Sequence, residues 1–288
     1  MLLTSGLLGL LYVVFAIVLF QVLNVGLAPM LVIVIGIALF QFYTSDKLAL
    51  AAAGAKVVSR EDAPQLHDMV ERLCGMADLP KPKIAIMNTP VPNAFATGRS
   101  PKHAAVCVTT GLWERLEPKE VEGVLAHELS HIANRDVLVM TVASFFAMLA
   151  AMLTRFGLYA GMWGGGGRRD NNGPPVWLII FAVSILVYAI SFVLIRTISR
   201  YREYAADRGS ALITGAPEYL MSALQKISSQ MTLIPNRDLR QVEGMNAFFI
   251  IPAKVKTFSS ELLMDHPPIE KRLAALAEIA REMGRPVA

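Results

Sequence analysis

The sequence predicts an α+β, mainly helical integral membrane protein, with about four transmembrane helices and a polar portion of helices around a small β-sheet. Three observations carry this. Apolar residues make up 54% of the 288 and the mean hydropathy is positive, yet they gather in blocks instead of spreading as a soluble core spreads them. The blocks are each about 16 to 20 residues long, near the ~20 needed to cross about 30 Å of hydrocarbon. Two polar segments, 44–136 and 196–288, hold nearly all of the 27 Lys and Arg.

The first block runs from Leu7 to Leu23 and the second from Ala28 to Tyr43, turned by Asn24 to Gly26 and by Pro29. A cleaved signal peptide is the rival reading, because Ala49, Ala51, Ala52, Ala53 and Ala55 supply small residues behind the apolar stretch. It is disfavoured: no basic region precedes the stretch, which is about twice as long as the apolar core of a normal signal peptide. The third block is Val137 to Leu153 and the fourth Val176 to Ile195. Between them, Gly164 to Gly173 reads as a flexible linker, since no strand precedes it to make a phosphate cradle.

Charge sets the orientation. One side of the bilayer receives only Arg155, Arg168 and Arg169, while the other carries the near-membrane Lys47, Arg135, Arg196, Arg200 and Arg202. The positive-inside rule places the polar segments in the cytosol, and the cell (inner) membrane is the expected location. A net charge of +4 therefore reports topology and anionic lipid. No interleaving of aromatic and basic residues suggests a nucleic-acid partner. Cys74 and Cys107 both fall on the cytosolic side, where a structural disulfide is not expected.

Within the polar segments, Ala63 to Ala77 sets Leu66, Met69, Val70, Leu73 and Cys74 on one face of a helix opened near Asp62 and Pro64. Lys83 to Asn88 and Ala104 to Thr109 have strand character, separated by a turn-forming stretch around Pro90, Pro92, Gly98 and Pro101. Pro118 starts a helix with apolar residues at Val121, Val124, Leu125, Leu129 and Ile132, in which Gly123 costs about 1 kcal/mol relative to alanine. Pro217 to Ile227 and Pro267 to Met283 are further helices, and Thr232 to Ser259 is irregular or partly β. The chain thus divides into an N-terminal transmembrane hairpin (1–45), a first polar part (46–136), a second hairpin (137–195) and a second polar part (196–288).

The string His127-Glu128-Leu129-Ser130-His131 lies on the Pro118 helix. Positions i and i+4 share a helix face, so His127 and His131 can bind one zinc ion while Glu128 stands beside it as a base. A third ligand is needed. Glu203 is the best candidate, with Asp207 one turn on as partner of a ligand histidine. The hairpin supports it: His131 precedes Val137 by six residues and Glu203 follows Ile195 by eight. At 1.5 Å per residue, both stand about 10 Å outside the bilayer on the same side.

These residues resemble the HtpX-type membrane zinc metalloproteases, relatives of the CAAX prenyl endopeptidases. The resemblance rests on HELSHIANRD (127–136), EYAAD (203–207), PNAFATG (92–98) with VTTGL (108–112), and HPPIEKRL (266–273). It implies a zincin-like (gluzincin) catalytic domain, one zinc ion on His127, His131 and Glu203, and Glu128 as the catalytic glutamate. Peptide-bond hydrolysis at the cytosolic membrane face, in quality control of misfolded membrane proteins and the stress response, is the implied function. His266 resembles a family position near the zinc and is the candidate oxyanion partner, with Arg272 orienting Asp207 or Glu203.

Substrate is expected to add as a strand to an exposed sheet edge, taken to be Ala104 to Thr109 with Val106 and Val108, beside Asn93, Ala94 and Phe95. Asp136, at the end of the zinc helix, is left open between a partner of the metal site and an interfacial polar residue. An intramembrane protease is disfavoured by Glu117, Lys119, Glu120, Glu122, Arg135 and Asp136 around the motif. A non-catalytic zinc-stabilised scaffold has no use for Glu128.

Overall fold

Short runs of small and β-branched residues build a sheet in the polar part of the chain. The computed structural model describes residues 46, 47, 49–136, 138–140, 176–231, 233, 234, 250 and 266–285, together with 7, 10, 36, 39, 40, 43 and 44. Strands β1 (Lys56–Val57), β2 (Lys83–Met87), β3 (Ala94–Gly98) and β4 (Ala104–Thr109) form one mixed sheet in the order β1-β2-β4-β3. β2 and β4 are parallel, with Ile84 opposite Val106, and both outer pairs are antiparallel, with Ala96 opposite Val106 on the β3 side.

This order corrects two expectations. The stretch between β2 and β4 is not only turns: Ala94–Gly98 is a strand, hidden in the sequence because Pro92 and Gly98 bracket it. β4 is not an edge, since β2 and β3 pair with its two sides and all six of its residues are buried. The edge on that side is β3.

The helices are α1 (Pro64–Met76), α2 (Thr110–Arg115), α3 (Pro118–Ala133), α4 (Val176–Thr214), α5 (Pro217–Met231) and α6 (Ile269–Glu282). α2, absent from the sequence reading, starts where the Thr109 hydroxyl accepts from Leu112 N. α3 starts at Pro118, and the Glu120 carboxylate turns back to accept from Glu117 N at 2.8 Å. That carboxylate also takes Lys226 Nζ at 2.8 Å, so one residue caps α3 and ties it to α5. Between the faces of α1, α3, α5 and the sheet, Val70, Leu73, Ile84, Val106, Val124, Leu125, Leu129, Leu224 and Leu276 form one apolar core. Each large aliphatic side chain buried there contributes about 1.5–3 kcal/mol.

Gly123 and Gly209 explain how closely α3 is approached. A Cβ at Gly123 would stand 2.7 Å from Leu220 N and 2.9 Å from Tyr219 C, backbone atoms at the start of α5. A Cβ at Gly209 would stand 2.3 Å from Ser130 Oγ, and Ser210 Oγ donates to Gly123 O at 2.7 Å. The propensity cost of Gly123 is therefore offset by packing, and α4 and α5 both lie directly on the helix that carries the two histidines.

The chain divides into two compact units, 1–41 with 139–198 and 42–138 with 199–288. The sheet and the apolar core belong to the second. In α4, Phe181–Thr214 is long and apolar enough to cross a membrane, with a mean hydropathy of 2.2 in its most apolar window. Its N-terminal half exposes Leu178, Ile185, Leu186, Ile190 and Val193 while burying Ser184, Val187 and Ser191. Most of the other three apolar blocks, the linker at 164–173 and most of 232–259 lie outside the described residues.

Candidate metal centre

On α3, one helical turn separates His127 from His131, and their Nε2 atoms come within 3.1 Å of each other. α4 brings Glu203 to the same place: Oε2 lies 3.6 Å from His127 Nε2 and Oε1 3.6 Å from His131 Nε2. The three donors lie within 4.8 Å of one another, as a group able to hold a metal ion. Two ligands on tetrahedral zinc with bonds near 2.1 Å are about 3.4 Å apart, which the three separations bracket.

Each histidine has its other ring nitrogen against a carboxylate. His127 Nδ1 faces Asp207 Oδ1 at 3.0 Å, and His131 Nδ1 donates to Asp136 Oδ2 at 2.6 Å. A carboxylate can only accept, so it draws the ring proton to Nδ1 and leaves the lone pair on Nε2. Two such lone pairs 3.1 Å apart repel unless a cation lies between them. Without metal a proton fills that part. Burial opposes charging His127, but the Asp207 and Glu203 carboxylates outweigh it and push its pKa up to about 9.

Charge points the same way. The cluster buries the carboxylates of Glu128, Asp136, Glu203 and Asp207 against the guanidinium groups of Arg202 and Arg272. With neutral imidazoles, four negative charges face two positive ones, and a divalent cation restores balance. Glu203 Oε2 is also buried with no hydrogen-bond partner among the described residues. Donor spacing, lone pairs, charge and this atom together fit a dication such as zinc.

Glu128 neighbours the donors without being one of them. It is buried, and its Oε2 accepts from Ala96 N on β3 at 2.8 Å. Burial raises its pKa above the usual carboxylate value, against the opposing pull of His127 and His131. The Ala96 contact orients β3 relative to the site. Residues i and i+2 of a strand send their backbone groups to the same side, so Ala94, Ala96 and Gly98 address the site while Phe95 and Thr97 address β4. A small cleft walled by Ala96, Gly98, Ala104 and Ile132, with Arg99 and Arg135 among its lining residues, reaches His131.

Arg272 is 2% exposed and grips Asp207 with two bonds, Nε to Oδ2 at 2.9 Å and Nη2 to Oδ1 at 2.6 Å. Its Nη1 donates to Ile250 O at 2.9 Å and lies 3.5 Å from Glu203 Oε2. Burial works against its charge, yet Asp207 and Glu203 hold its pKa above the ordinary guanidinium value. His266, just before α6, is buried with Nδ1 3.3 Å from Glu203 Oε2.

Of the residues expected to touch substrate, Asn93, Ala94, Phe95, Val106 and Val108 are all buried. The Asn93 side chain accepts from Ile250 N at 3.0 Å, and Val108 lines a separate cavity with Trp113, Ile86 and Leu66. None of the five side chains is part of the donor cluster. Three features escaped the sequence: the Ala96 contact, the Ile250 carbonyl on Arg272, and the seat of Gly209 on Ser130. A small residue at each crossing was the only available signal for the last.

Comparison with known proteins gives one consistent result. The sequence profile described as Peptidase family M48 matches residues 59–280. Protease HtpX homolog 2 of Methanosarcina acetivorans is 56% identical over 243 residues, covering 84% of this chain and 82% of its own. Protease HtpX homolog of Moorella thermoacetica is 51% identical over 285 residues, covering 98% and 94%. The crystal structure of S. mikatae Ste24p superposes with a TM-score of 0.58 over 95% of this chain and 64% of that one. At 19% identity, that likeness is one of fold.

Proposed function

The chain belongs to peptidase family M48 and is a metalloendopeptidase similar to the HtpX proteases, and from that premise we propose that it holds one zinc ion on His127, His131 and Glu203 and uses Glu128 as its catalytic base. The observation that carries this is a set of donors with the spacing and charge for a dication, beside a buried carboxylate that is not one of them. When bound, zinc supplies a Lewis acid that polarises the scissile carbonyl and lowers the pKa of the attacking water. Glu128 takes the proton from that water and delivers it to the departing amine, a role suited to a carboxylate made more basic by burial. Ala96 N–H fixes the carboxylate for this exchange. Asp207, itself fixed by Arg272, keeps the proton of His127 on Nδ1. His266 stabilises the oxyanion.

An extended peptide pairs with the outer side of β3, where Ala94, Ala96 and Gly98 present backbone groups to the site. Asn93, Phe95, Val106 and Val108 then act from behind, holding that strand in place. Main-chain pairing gives affinity with little demand on sequence, which suits unfolded polypeptides and misfolded membrane proteins as substrates. We place the enzyme in the cell (inner) membrane with its site on the cytosolic face, in contact with the bilayer, on the apolar length of α4 and the distribution of charge. The four-span arrangement and a role in membrane-protein quality control belong to the same reading.

The test is hydrolysis of casein or a fluorogenic peptide by the full chain in detergent, with and without chelator, for wild type and Glu128→Gln. Wild type should lose activity to the chelator and regain it with zinc. Glu128→Gln should keep its metal and lose about 10²–10⁴-fold in turnover. Full turnover by that variant, with contaminating protease excluded, would reject Glu128 as the base.

A further inference from the structure

Asp136 is a carboxylate that the mechanism above leaves without a role, yet it is 1% exposed. An ionised carboxyl so buried is costly unless paired, so its partners define its task. Two groups converge on one oxygen: His131 Nδ1 at 2.6 Å from Oδ2, and Arg202 Nε at 3.2 Å from the same atom. The backbone is shaped for this contact. Arg135, just before it, has φ +55°, a left-handed conformation that residues with a Cβ rarely adopt. This turn follows α3 and directs Asp136 back to His131, five residues earlier.

Position in the chain adds a second point. Asp136 immediately precedes Val137, where the third apolar block begins, and Arg202 follows the fourth block, which ends at Ile195. The ion pair therefore joins the residue just before the third apolar block to one just after the fourth, beside a single metal ligand. We propose that Asp136 and Arg202 form a clamp that positions His131 for the metal. The proposal rests on the metal reading above.

The chemistry is one of tautomer and direction. With Asp136 accepting, the imidazole proton stays on Nδ1 and the Nε2 lone pair is aimed between His127 and Glu203. Without that carboxylate the Nε2–H form competes, and metal must first displace its proton. Arg202 acts through Asp136, its guanidinium lying against the same oxygen that His131 meets. The arrangement parallels His127, Asp207 and Arg272 on the other side of the donor set, with one difference. Arg272 is 2% exposed and grips its carboxylate with two bonds, whereas the Arg202 side chain is 14% exposed and its ion pair runs through Nε. The Arg202 arm is the weaker of the two.

The experiment measures zinc affinity by chelator competition on the full chain in detergent, for wild type, Asp136→Asn, Arg202→Gln and the double variant. Cobalt(II) absorption and thermal unfolding of each metal-free protein accompany it. Asp136→Asn should weaken zinc about 10–100-fold and change the cobalt spectrum. Arg202→Gln should weaken zinc by less. The double variant should match Asp136→Asn alone, because Arg202 acts only through Asp136. Zinc affinity within twofold of wild type in Asp136→Asn overturns the clamp, as do losses that add in the double variant. A lowered unfolding temperature with an unchanged cobalt spectrum marks a purely structural residue and also overturns it. If Asp136→Asn does not fold, Arg202→Gln decides on the same measurements, with unchanged zinc affinity as the overturning result. A wild-type chain that takes up no zinc is a different failure, striking the metal reading and the clamp with it.

Discussion

Replacing Gly209 by alanine asks whether the contact between two helices, and not the ligand set alone, creates the metal site. A Cβ built on Gly209 lies 2.3 Å from Ser130 Oγ and 2.7 Å from Ser130 Cβ. The hydroxyl can rotate away, although it gives up its 2.8 Å bond to Ala126 O in doing so. The Cβ cannot, because the backbone of α3 fixes it. Carbon atoms in ordinary contact are about 3.5–4.0 Å apart, so α3 and α4 must separate by about 1 Å at this point. Glu203 is carried by α4 and the histidines by α3, so the separation passes directly into the donor triangle. Forcing a methyl into a packed contact costs about 1–3 kcal/mol, and a misplacement near 1 Å costs about 100-fold in rate. Gly209→Ala should therefore lower kcat/KM about 100-fold and weaken zinc, measured with a fluorogenic peptide and by chelator competition. Adding Ser130→Gly removes both clashing atoms and should restore most of the loss. Activity of the single variant within threefold of wild type, or no recovery in the double variant, would refute the argument.

Other outcomes follow from the same geometry. Arg272→Met takes the guanidinium from the buried carboxylates of Asp207 and Glu203 and leaves them facing imidazoles; it should destabilise the metal-free protein by about 3–5 kcal/mol in chemical unfolding, and Asp207→Asn added to it should recover part of that loss. Arg272→Lys should not substitute for wild type in the same measurement, because an ammonium cannot make the two-bond grip on Asp207. His127 in the metal-free protein has its pKa raised from 6.5 to about 9, so protonation contributes stability that is complete below 6.5 and lost as pH rises through 9. Zinc must displace that proton: its affinity should rise about tenfold per pH unit between 7 and 8.5, with proton release visible as a buffer-dependent binding enthalpy, and pH-independent affinity would contradict it.

Legibility in the sequence followed the range of the signal. The pair His127 and His131 was readable because helical spacing alone puts both on one face, and the strands Lys83–Met87 and Ala104–Thr109 because they are short β-rich runs separated by a turn-forming stretch. Glu203, distant in sequence, was reachable through the parity of membrane crossings together with the Asp207 one turn on. What stayed hidden was contact between elements. Gly123 read as a weakness in α3, and Gly209 attracted no notice, yet these two positions let α5 and α4 lie against the helix of the histidines. A missing side chain has no chemistry of its own to read, and its meaning appears only when the neighbouring atoms are known.

The misplaced sheet edge has a chemical consequence. Side chains carry the strand signal, and the sequence around Ala94–Gly98 offers only small residues and one aromatic between a proline and a glycine, so from sequence the edge falls on Ala104–Thr109. That choice would have made Val106 and Val108 the contacts of substrate. With β3 outside β4, the groups that face Glu128 are instead the backbone of Ala94, Ala96 and Gly98, and one of them already holds the Glu128 carboxylate. On the proposed mode of substrate pairing, the strand that receives substrate is the same strand whose Ala96 N–H holds Glu128. A peptide that shifts β3 when it pairs there also shifts Ala96 N–H against Glu128, so binding and proton transfer share a single structural element, and substitutions along β3 should change KM and kcat together.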